Sequence, residues 1–411
     1  MKKYFYLFVL IGCISCAGKE QSEEPKPPYF MKIGLPNSIL SLPPLRLSEF
    51  ADSIEYLQLE TTDECLLRHP SICLRDDNFL FYSDMSRLVY KFDATTGHFL
   101  GQIGEIGQGP GEYVWMKNAF IDKDNNKIIV QDGGKQDLMV YDYDGHYIDK
   151  MLLTKDSIFT TYAYSTMLID IDSQYIVYKA RFMPAAGTRQ PHEVMVSDYK
   201  TGKIIHSIPN RLDGIEGNAG QFTGSYLMLK QSDAIFYKSF YNDTLYTVHK
   251  KEGINPYAVI DLGSRKPNEI YFSNDFPLAL KGSILITGCH INRNCILLNC
   301  MLPHTDTFQD VYRFICKYDK ATGHVTYHSK RIINDIDGGY NIGISYLHLS
   351  LHNIFSVPFP SDIEESVKDV VFSTLDKSEL KYPERKDQFE HMQEQRDPDD
   401  NPLLMFLHWK E

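Results

Sequence analysis

The sequence predicts an all-β protein, a six-bladed β-propeller whose blades each contain four antiparallel strands. Three observations support this prediction. A strand–turn–strand signature recurs along the chain, in Val89–Leu100 and again in Met139–Ile148. Its repeat of roughly fifty residues is typical of propeller blades. The composition is rich in Tyr (27) and Phe (23) and poor in Trp (2), which suits pleated, half-buried surfaces.

Each signature reads as an alternating apolar strand that ends in Asp, a turn with Gly, and a second strand. It returns in Val194–Ile205 and Phe314–Val325, and without the glycine in Asn242–His249. The turn positions that mark the repeat are Asp93, Asp142, Asp198, His249 and Asp319. Five signatures and one final irregular unit predict six blades.

The two ends of the chain are predicted to complete one blade together. Ser53–Thr62 and Asn401–Trp409 both read as strands, and pairing them would remove the exposed edges of an open array. Residues 46–411 are therefore assigned to a single propeller. A charged stretch at 381–400 lacks strand alternation and is expected to form a helical or loop insertion on the rim.

The N-terminus carries an export signal. Lys2 and Lys3 precede an apolar run that is too short to span a bilayer. The run ends in Leu10-Ile11-Gly12-Cys13, which resembles a bacterial lipobox with Cys13 as the lipidated residue; Cys16 is the alternative. Residues 1–16 are thus read as a lipoprotein signal, and the polar, Pro-rich residues 17–45 as a disordered tether. An ordinary secretory signal with incidental cysteines is the competing interpretation.

The charge balance restricts the partners. The formal net charge is −12, whereas nucleic acid or an anionic membrane surface requires a basic face. We therefore expect no nucleic acid, membrane association by the lipid anchor only, and a monomer. The six cysteines beyond the signal match no zinc pattern. Buried free thiols on strands are favoured over disulfides such as Cys65–Cys73 or Cys289–Cys295.

Several landmarks resemble a known family. They are Gly107–Tyr113 (GQGPGEY), the Val-Tyr-x-Phe-Asp run from Val89, Tyr141-Asp142 with Gly145, Asn334–Gly339, and Asn401-Pro402. In these landmarks the chain resembles the six-bladed, NHL-like propeller lipoproteins of Gram-negative anaerobes. The resemblance implies the fold and an outer-membrane lipoprotein that faces the periplasm or the cell surface. It implies no particular activity.

Two loops supply candidate binding residues. Glycines in the GQGPGEY loop could present Glu112 and Tyr113 toward the channel mouth, as an acceptor and a stacking surface. Alternatively, Glu112 accepts backbone N–H bonds inside the loop and Tyr113 packs under the next blade. Asp335 and Asp337 form an acidic loop that could bind a metal or sugar hydroxyls, or could cap a turn. No cofactor is predicted; calcium is the alternative, because Asp122–Asn126 offers oxygen ligands at alternating positions but lacks the Gly and the distant Glu of an EF-hand loop.

Two functions follow. The favoured one is an anchored, non-catalytic binding or scaffold module for a glycan, peptide or outer-membrane protein. The alternative is a lyase or hydrolase with a site at the central channel, where histidines from several blades could hold a metal. His98, His146 and His324 occupy equivalent positions after the turn glycine, which favours exposed turn residues over metal ligands. No nucleophile elbow or carboxylate pair is evident.

Overall fold

The structure, a computed structural model, is a six-bladed β-propeller, as predicted. It describes residues 27–67, 70–84, 88–135, 137–151, 166–180, 192–209, 226–231, 234–239, 242–267, 280–305, 311–343, 354–359 and 362–410. The predicted signal and lipobox, with Cys13 and Cys16, lie outside these residues.

Five blades contain four antiparallel strands in chain order, the first innermost. Blade 1 comprises β4 (Pro70–Arg75), β5 (Phe79–Asp84), β6 (Val89–Asp93) and β7 (Phe99–Ile103). Blade 2 comprises β10 (Met116–Asp122), β11 (Lys127–Asp132), β12 (Leu138–Asp142) and β13 (Tyr147–Met151). Blade 3 comprises β14 (Thr166–Ile171), β15 (Tyr175–Ala180), β16 (His192–Asp198) and β17 (Ile204–Pro209). Blade 4 comprises β18 (Tyr226–Gln231), β19 (Ala234–Ser239), β20 (Thr244–His249) and β21 (Gly253–Asp261). Blade 5 comprises β22 (Leu285–Ile291), β23 (Cys295–Pro303), β24 (Val311–Asp319) and β25 (Val325–Ser329).

Blade 6 joins the two ends of the chain, as the sequence predicted. Its described strands are β28 (Ile354–Val357), β29 (Leu403–Trp409) and β3 (Ala51–Gln58), in that order across the sheet. The antiparallel register between β29 and β3 runs from the Leu403–Gln58 pair to the Trp409–Ala51 pair. The outer strand of the last blade therefore comes from the N-terminal part of the chain.

Alternating apolar side chains pack on both faces of each blade, because every blade is covered by a neighbour on each side. On β11, for example, Ile128 and Val130 face blade 1 whereas Ile129 faces blade 3. Six buried clusters result, one at each interface between neighbouring blades. The last of them joins Leu404 and Phe406 of blade 6 to Leu80 and Phe92 of blade 1, so the packed core runs around the complete ring.

The repeated turn positions fall where the sequence placed them. Asp93, Asp142, Asp198, His249 and Asp319 are each the last residue of the third strand of a blade. Asp93 Oδ1 accepts hydrogen bonds from the backbone N–H and the hydroxyl of Thr96, at 2.7 and 2.9 Å. Hydrogen bonds from the matching threonine lower the pKa of Asp93, Asp198 and Asp319. We call the end of the propeller with these turns the turn end. The opposite end, where residues 104–115 cross between blades, is the loop end.

The predicted tether extends too far along the chain. β1 (Tyr29–Lys32) pairs in parallel with β21 and adds a fifth strand to blade 4. Met31 and Ile33 are buried there. β2 (Leu45–Arg46) then pairs with β26 (Arg331–Ile333), which pairs with β27 (Ile342–Gly343). Edge pairing and apolar burial thus order a segment that its prolines and polar residues led us to read as disordered.

Two short α-helices lie near the C-terminus, α1 (Lys368–Val371) and α2 (Glu384–Gln395). α2 falls within the predicted charged insertion, and its buried Phe389 packs against Tyr56 of β3 with ring centroids 4.9 Å apart. A two-residue parallel pair joins β8 (Glu105–Ile106) to β9 (Glu112–Tyr113). Among the described residues, no helix is long and apolar enough to cross a membrane.

The cysteines within the described ranges are free thiols in the core, as favoured from the sequence. They are Cys65, Cys289, Cys295, Cys300 and Cys316. The Sγ atoms of Cys300 and Cys316 lie 3.6 Å apart on neighbouring strands of blade 5. The side chain of Cys73 lies outside the description.

Candidate functional site

The GQGPGEY loop is folded by its own backbone and one carboxylate. The N–H of Gly107 donates to the carbonyl of Tyr113 at 3.0 Å, and Gly111 adopts a positive φ of 77°. Glu112 Oε2 accepts a hydrogen bond from the N–H of Gly109 at 2.8 Å. A Cβ on Gly107 would lie 1.9 Å from that oxygen, so glycine leaves the space that the carboxylate fills.

Tyr113 lies beneath this loop and is fully buried. Its hydroxyl donates to the carbonyl of Ile103 at 3.0 Å, and its ring meets Tyr141 of blade 2 edge-on at 6.3 Å. The hydroxyl of Tyr141 in turn donates to the carbonyl of Gly111 at 3.0 Å. Burial raises the pKa of both phenols above the usual range. Tyr113 therefore has no exposed ring on which a ligand could stack.

A lysine from blade 2 completes this arrangement. Lys135 Nζ donates to the carbonyls of Gln108 and Glu112, at 3.3 and 3.2 Å. The loop is thereby bonded to blade 1 through Tyr113 and to blade 2 through Tyr141 and Lys135. This geometry corresponds to the second of the two interpretations of Glu112 and Tyr113, a clasp between blades. Glu112 remains partly exposed.

In the acidic loop at residues 334–341, the carboxylates also accept hydrogen bonds from donors within the protein. Asp335 accepts hydrogen bonds from the N–H and the hydroxyl of Ser48, at 2.8 and 2.6 Å. Asp337 Oδ1 accepts from the Asn334 side chain at 2.7 Å and from the N–H of Gly339 at 2.9 Å. Burial raises the pKa of Asp337. Asp335 thus joins this loop to the N-terminal part of the chain, and Asp337 caps the turn.

The other sequence candidates lie at the turn end. The carboxylate oxygens of Asp122 accept from the Asn125 amide at 3.0 and 2.9 Å, and Oδ2 also accepts from the N–H of Ser173 at 3.1 Å. His98, His146 and His324 are exposed on the predicted turns of different blades. Across the described part of the chain, no group of three or more His, Cys, Asp or Glu side chains could hold a metal ion.

The sequence also matches a family, described as a domain of unknown function (DUF4934), over residues 31–408. The chain belongs to the DUF4934 family.

One solved structure shows the same fold, and a second is similar in sequence coverage. A Bacteroides fragilis NCTC 9343 protein, named as an exported protein, is 17% identical with a TM-score of 0.59; the match covers 93% of this chain and 100% of that one. A DUF4221 family member from Bacteroides vulgatus ATCC 8482 is 12% identical with a TM-score of 0.46, covering 88% and 97%. A search of curated proteins found no match. At 17% identity, the likeness to the Bacteroides fragilis protein establishes the fold alone.

The DUF4934 propeller contains a recurring buried position that the sequence analysis did not predict. The fifth residue of the second strand is polar in five blades: Ser83, Gln131, Lys179, Lys238 and Asn299. All except the half-buried Lys179 are buried. By strand alternation, each points toward the following blade. A polar residue after each apolar run (FLFYS, KIIVQ, YIVYK, AIFYK, CILLN) was the available signal.

Lys238 has the most perturbed chemistry of this set. Its Nζ donates to the carbonyls of Ser239 and Asn242, at 3.1 and 3.0 Å, and burial lowers its pKa to about 8. Beside it, Tyr237 donates to the buried Glu193 of blade 3 at 2.8 Å. The Tyr237–Glu193 bond joins blades 3 and 4 near the loop end of the DUF4934 propeller, whereas Lys238 lies on the opposite face of the same strand, toward blade 5.

A second charged group lies across the same two blades at the turn end. Asp170 of β14 contacts Lys230 and Lys250 of blade 4, with 2.8 Å between charged atoms in both pairs. Burial alone would raise the pKa of Asp170, but the two lysines hold it below the usual range. Lys250 also contacts Asp172 at 2.8 Å. Because its members neutralise one another, this network is suited to joining blades.

Proposed function

We propose that this DUF4934 protein is an envelope- or surface-anchored lipoprotein whose propeller is a non-catalytic binding or scaffold module. Its lipid anchor is attached at Cys13, or alternatively at Cys16, and holds it at the outer membrane. Its partner is a glycan, a peptide or another outer-membrane protein, bound over the loop end. The fold shared with a protein named as exported supports the location.

The observation that carries this proposal is the difference between the two ends of the propeller. At the turn end, Asp93, Asp198 and Asp319 close tight, nearly identical turns. At the loop end, residues 104–115 cross between blades and carry exposed side chains, among them Glu105, Ile106 and Gln108. Binding residues concentrate on such loops when a rigid scaffold holds them. The clasp of Tyr113, Tyr141 and Lys135 provides that rigidity.

Of the four binding residues expected from the sequence, Glu112 best suits a ligand contact. Tyr113, Asp335 and Asp337 are buried, whereas Glu112 is partly exposed. A carboxylate held at a fixed position accepts hydrogen bonds from sugar hydroxyls or peptide N–H groups without first losing side-chain freedom. We therefore place Glu112 at the edge of the proposed binding surface.

Site-specific photo-crosslinking in intact cells tests the proposed surface. A photoreactive residue replaces Gln108 at the loop end, and in a matched variant it replaces Thr95, which is exposed at the turn end of the adjoining blade. We expect a discrete crosslinked species from position 108 and none from position 95. Equal crosslinking from both positions, or from position 95 alone, contradicts the proposal.

Metal analysis of the purified protein separates this function from the enzyme alternative. A binding module that acts through carboxylates and aromatic rings needs no bound ion. Stoichiometric zinc or calcium that survives dialysis would instead support a metal-dependent lyase or hydrolase.

Mass spectrometry of the mature chain tests the anchor, since diacylglycerol on Cys13 or Cys16 adds a characteristic mass.

A further inference from the structure

The N-terminal strap, residues 29–46, differs in charge from the rest of the molecule. No acidic residue occurs from residue 25 to residue 48, although the whole chain has a net charge of −12. The strap itself contributes Lys32 and Arg46, both exposed; Arg46 is ion-paired, 3.4 Å from Glu379 and 3.7 Å from Asp335. It also carries the most exposed large apolar side chains of the described residues, Leu40 at 82% and Phe30 at 60%, with Leu35 at 38%. This combination of basic and outward-facing apolar residues is typical of segments that lie on membrane surfaces.

Backbone contacts fix which side of the strap faces outward. Along β1, Met31 and the following Ile33 point into blade 4, which leaves Phe30 and Lys32 on the outer side. Beyond β1, the N–H of Gly34 donates to the hydroxyl of Tyr327 at 3.0 Å. Contacts to blades 4 and 5 thus hold the strap, so its exposed residues face solvent in a defined arrangement.

The neighbouring surface has the same character. The carbonyl of Pro43 accepts a hydrogen bond from the N–H of Ser329 at 2.8 Å, and Ser329 is followed by the exposed Lys330 and Arg331. The Arg331 guanidinium donates to the carbonyl of Asp369 at 3.1 Å, beside Val370, which is 46% exposed. Lys330, Arg331 and Val370 therefore continue the basic and apolar character of the strap onto this rim of the propeller, where the exposed Asp369 also lies.

We propose that the strap and this rim lie against the phospholipid surface to which the chain is anchored. The proposal rests on the anchor under the proposed function. The chain enters the propeller at Tyr29, so the residues that follow Cys13 can span at most about 50 Å at roughly 3.3 Å per residue. This short reach keeps the strap near the bilayer. The side chains of Phe30, Leu35 and Leu40 enter the headgroup region, and Lys32 and Lys330 contact lipid phosphates.

This orientation departs from the expectation that the membrane is contacted by the lipid anchor only. Net charge describes the whole molecule, but attraction to anionic lipid decays within about 10 Å at ordinary ionic strength. A locally basic rim can therefore bind a surface that the acidic remainder avoids. The strap lies on blades 4 and 5, which are across the ring from the crossing of residues 104–115 between blades 1 and 2, so that loop stays open to a partner.

Vesicle flotation of the mature chain from residue 17, which lacks the lipid, provides the first test. All of the described strands begin at Tyr29 or later, so this chain is expected to fold. We expect co-flotation with vesicles of phosphatidylethanolamine and phosphatidylglycerol, and less with phosphatidylcholine alone. Leu40→Ser should weaken vesicle binding roughly tenfold. The matched control is Leu100→Ser, because Leu100 is 49% exposed on the outer strand of blade 1; its binding should be unchanged.

Three results would overturn the proposal: no flotation of the unsubstituted chain, equal loss in the Leu40→Ser and Leu100→Ser variants, or a dimer that only Leu40→Ser dissociates. The last would identify a second copy of this chain as the occupant, and light scattering detects it. Lys32→Glu should also weaken binding to the anionic vesicles and make it less sensitive to salt. Since this chain carries no lipid, the flotation result does not depend on acylation at Cys13 or Cys16. Mass spectrometry of the mature chain tests acylation independently.

Discussion

The α-carbon of Gly97, in the turn of blade 1, lies against the carbonyl oxygen of Gln58, in the outer strand of blade 6. A Cβ on Gly97 would lie 2.1 Å from that oxygen. The carbonyl of Gly97 also accepts a hydrogen bond from the N–H of Glu60 at 2.9 Å. The turn glycine of the repeat is thus a contact at the junction where the two ends of the chain close the ring.

Gly97→Ala should destabilise the protein far more than the same change at Gly323. Both glycines have a similar positive φ, 74° and 72°, so both substitutions carry the left-handed backbone cost of about 1 kcal/mol. Around Gly323 the nearest atom to a new Cβ is 3.9 Å away. Only Gly97→Ala adds a clash with backbone, which we expect to raise the cost to about 3 kcal/mol or more. Urea unfolding measures this difference in the free energy of unfolding. Equal losses in the two variants would show that the backbone at Gln58 moves away from the new Cβ at little cost.

Tyr141→Phe should lower the free energy of unfolding by about 1 kcal/mol, because the carbonyl of Gly111 loses its donor. Tyr147→Phe serves as the control, since Tyr147 is 41% exposed on the neighbouring strand, and its effect should stay within about 0.5 kcal/mol. Denaturant titration of the two variants compares them directly. If Tyr141→Phe matched the control, the clasp would not be held by this bond.

Stability should fall as the pH drops below about 6.5, in part because of His290. Its ring lies 3.7 Å from that of Trp409, and burial lowers its pKa to about 3. Between pH 6.5 and 3 the unfolded chain binds a proton that the folded chain excludes, so each unit of acidification costs up to about 1.4 kcal/mol.

The unfolding free energy of His290→Phe, measured across this range, should depend less steeply on pH than that of the unsubstituted protein. The difference in slope should correspond to the uptake of up to one proton on unfolding. The exposed His324→Phe is the matched control, for which the slope of the unsubstituted protein should persist. An unchanged slope in His290→Phe would show that His290 is protonated in the folded state.

Stability should rise again between about pH 8 and pH 10.5 because of Lys238. Over this interval the folded protein has released the Lys238 proton, whereas the unfolded chain still binds it, so deprotonation favours folding. Lys238→Met should abolish this rise, although it also leaves the carbonyls of Ser239 and Asn242 without their donor. Lys200→Met, at an exposed turn, is the control. A rise that survives Lys238→Met would assign it to another group.

The pattern of neighbouring residues was sufficient to predict the repeat. Asp93, Asp142 and Asp319 could be placed at strand ends because alternation, an acidic cap and a turn glycine all lie within a dozen residues of one another. The pairing of Ser53–Thr62 with Asn401–Trp409 required only that an open array would leave edges exposed. The helix α2 lies within residues 381–400, for which charge and lack of alternation predicted either a helix or a loop.

The roles of Tyr113, Asp335 and the strap depended on partners that are distant in sequence. Tyr113 is buried because Tyr141 of the next blade covers it, and Asp335 is occupied because Ser48 approaches it from nearly three hundred residues away. The sequence predicts a tether over β1, because four residues after a run of prolines carry no recognisable strand pattern. In the structure these residues are ordered by pairing with the edge of β21.

The sequence by itself determined the repeat, the blade count and the turn chemistry, because these arise from interactions between near neighbours. Tertiary structure alone decided which polar groups were buried. Ser83, Gln131, Lys238 and Asn299 occupy one register position in their strands, yet only the packing of the following blade removes them from water. Desolvation depends on everything that surrounds a group, and that environment exists only when the ring is closed.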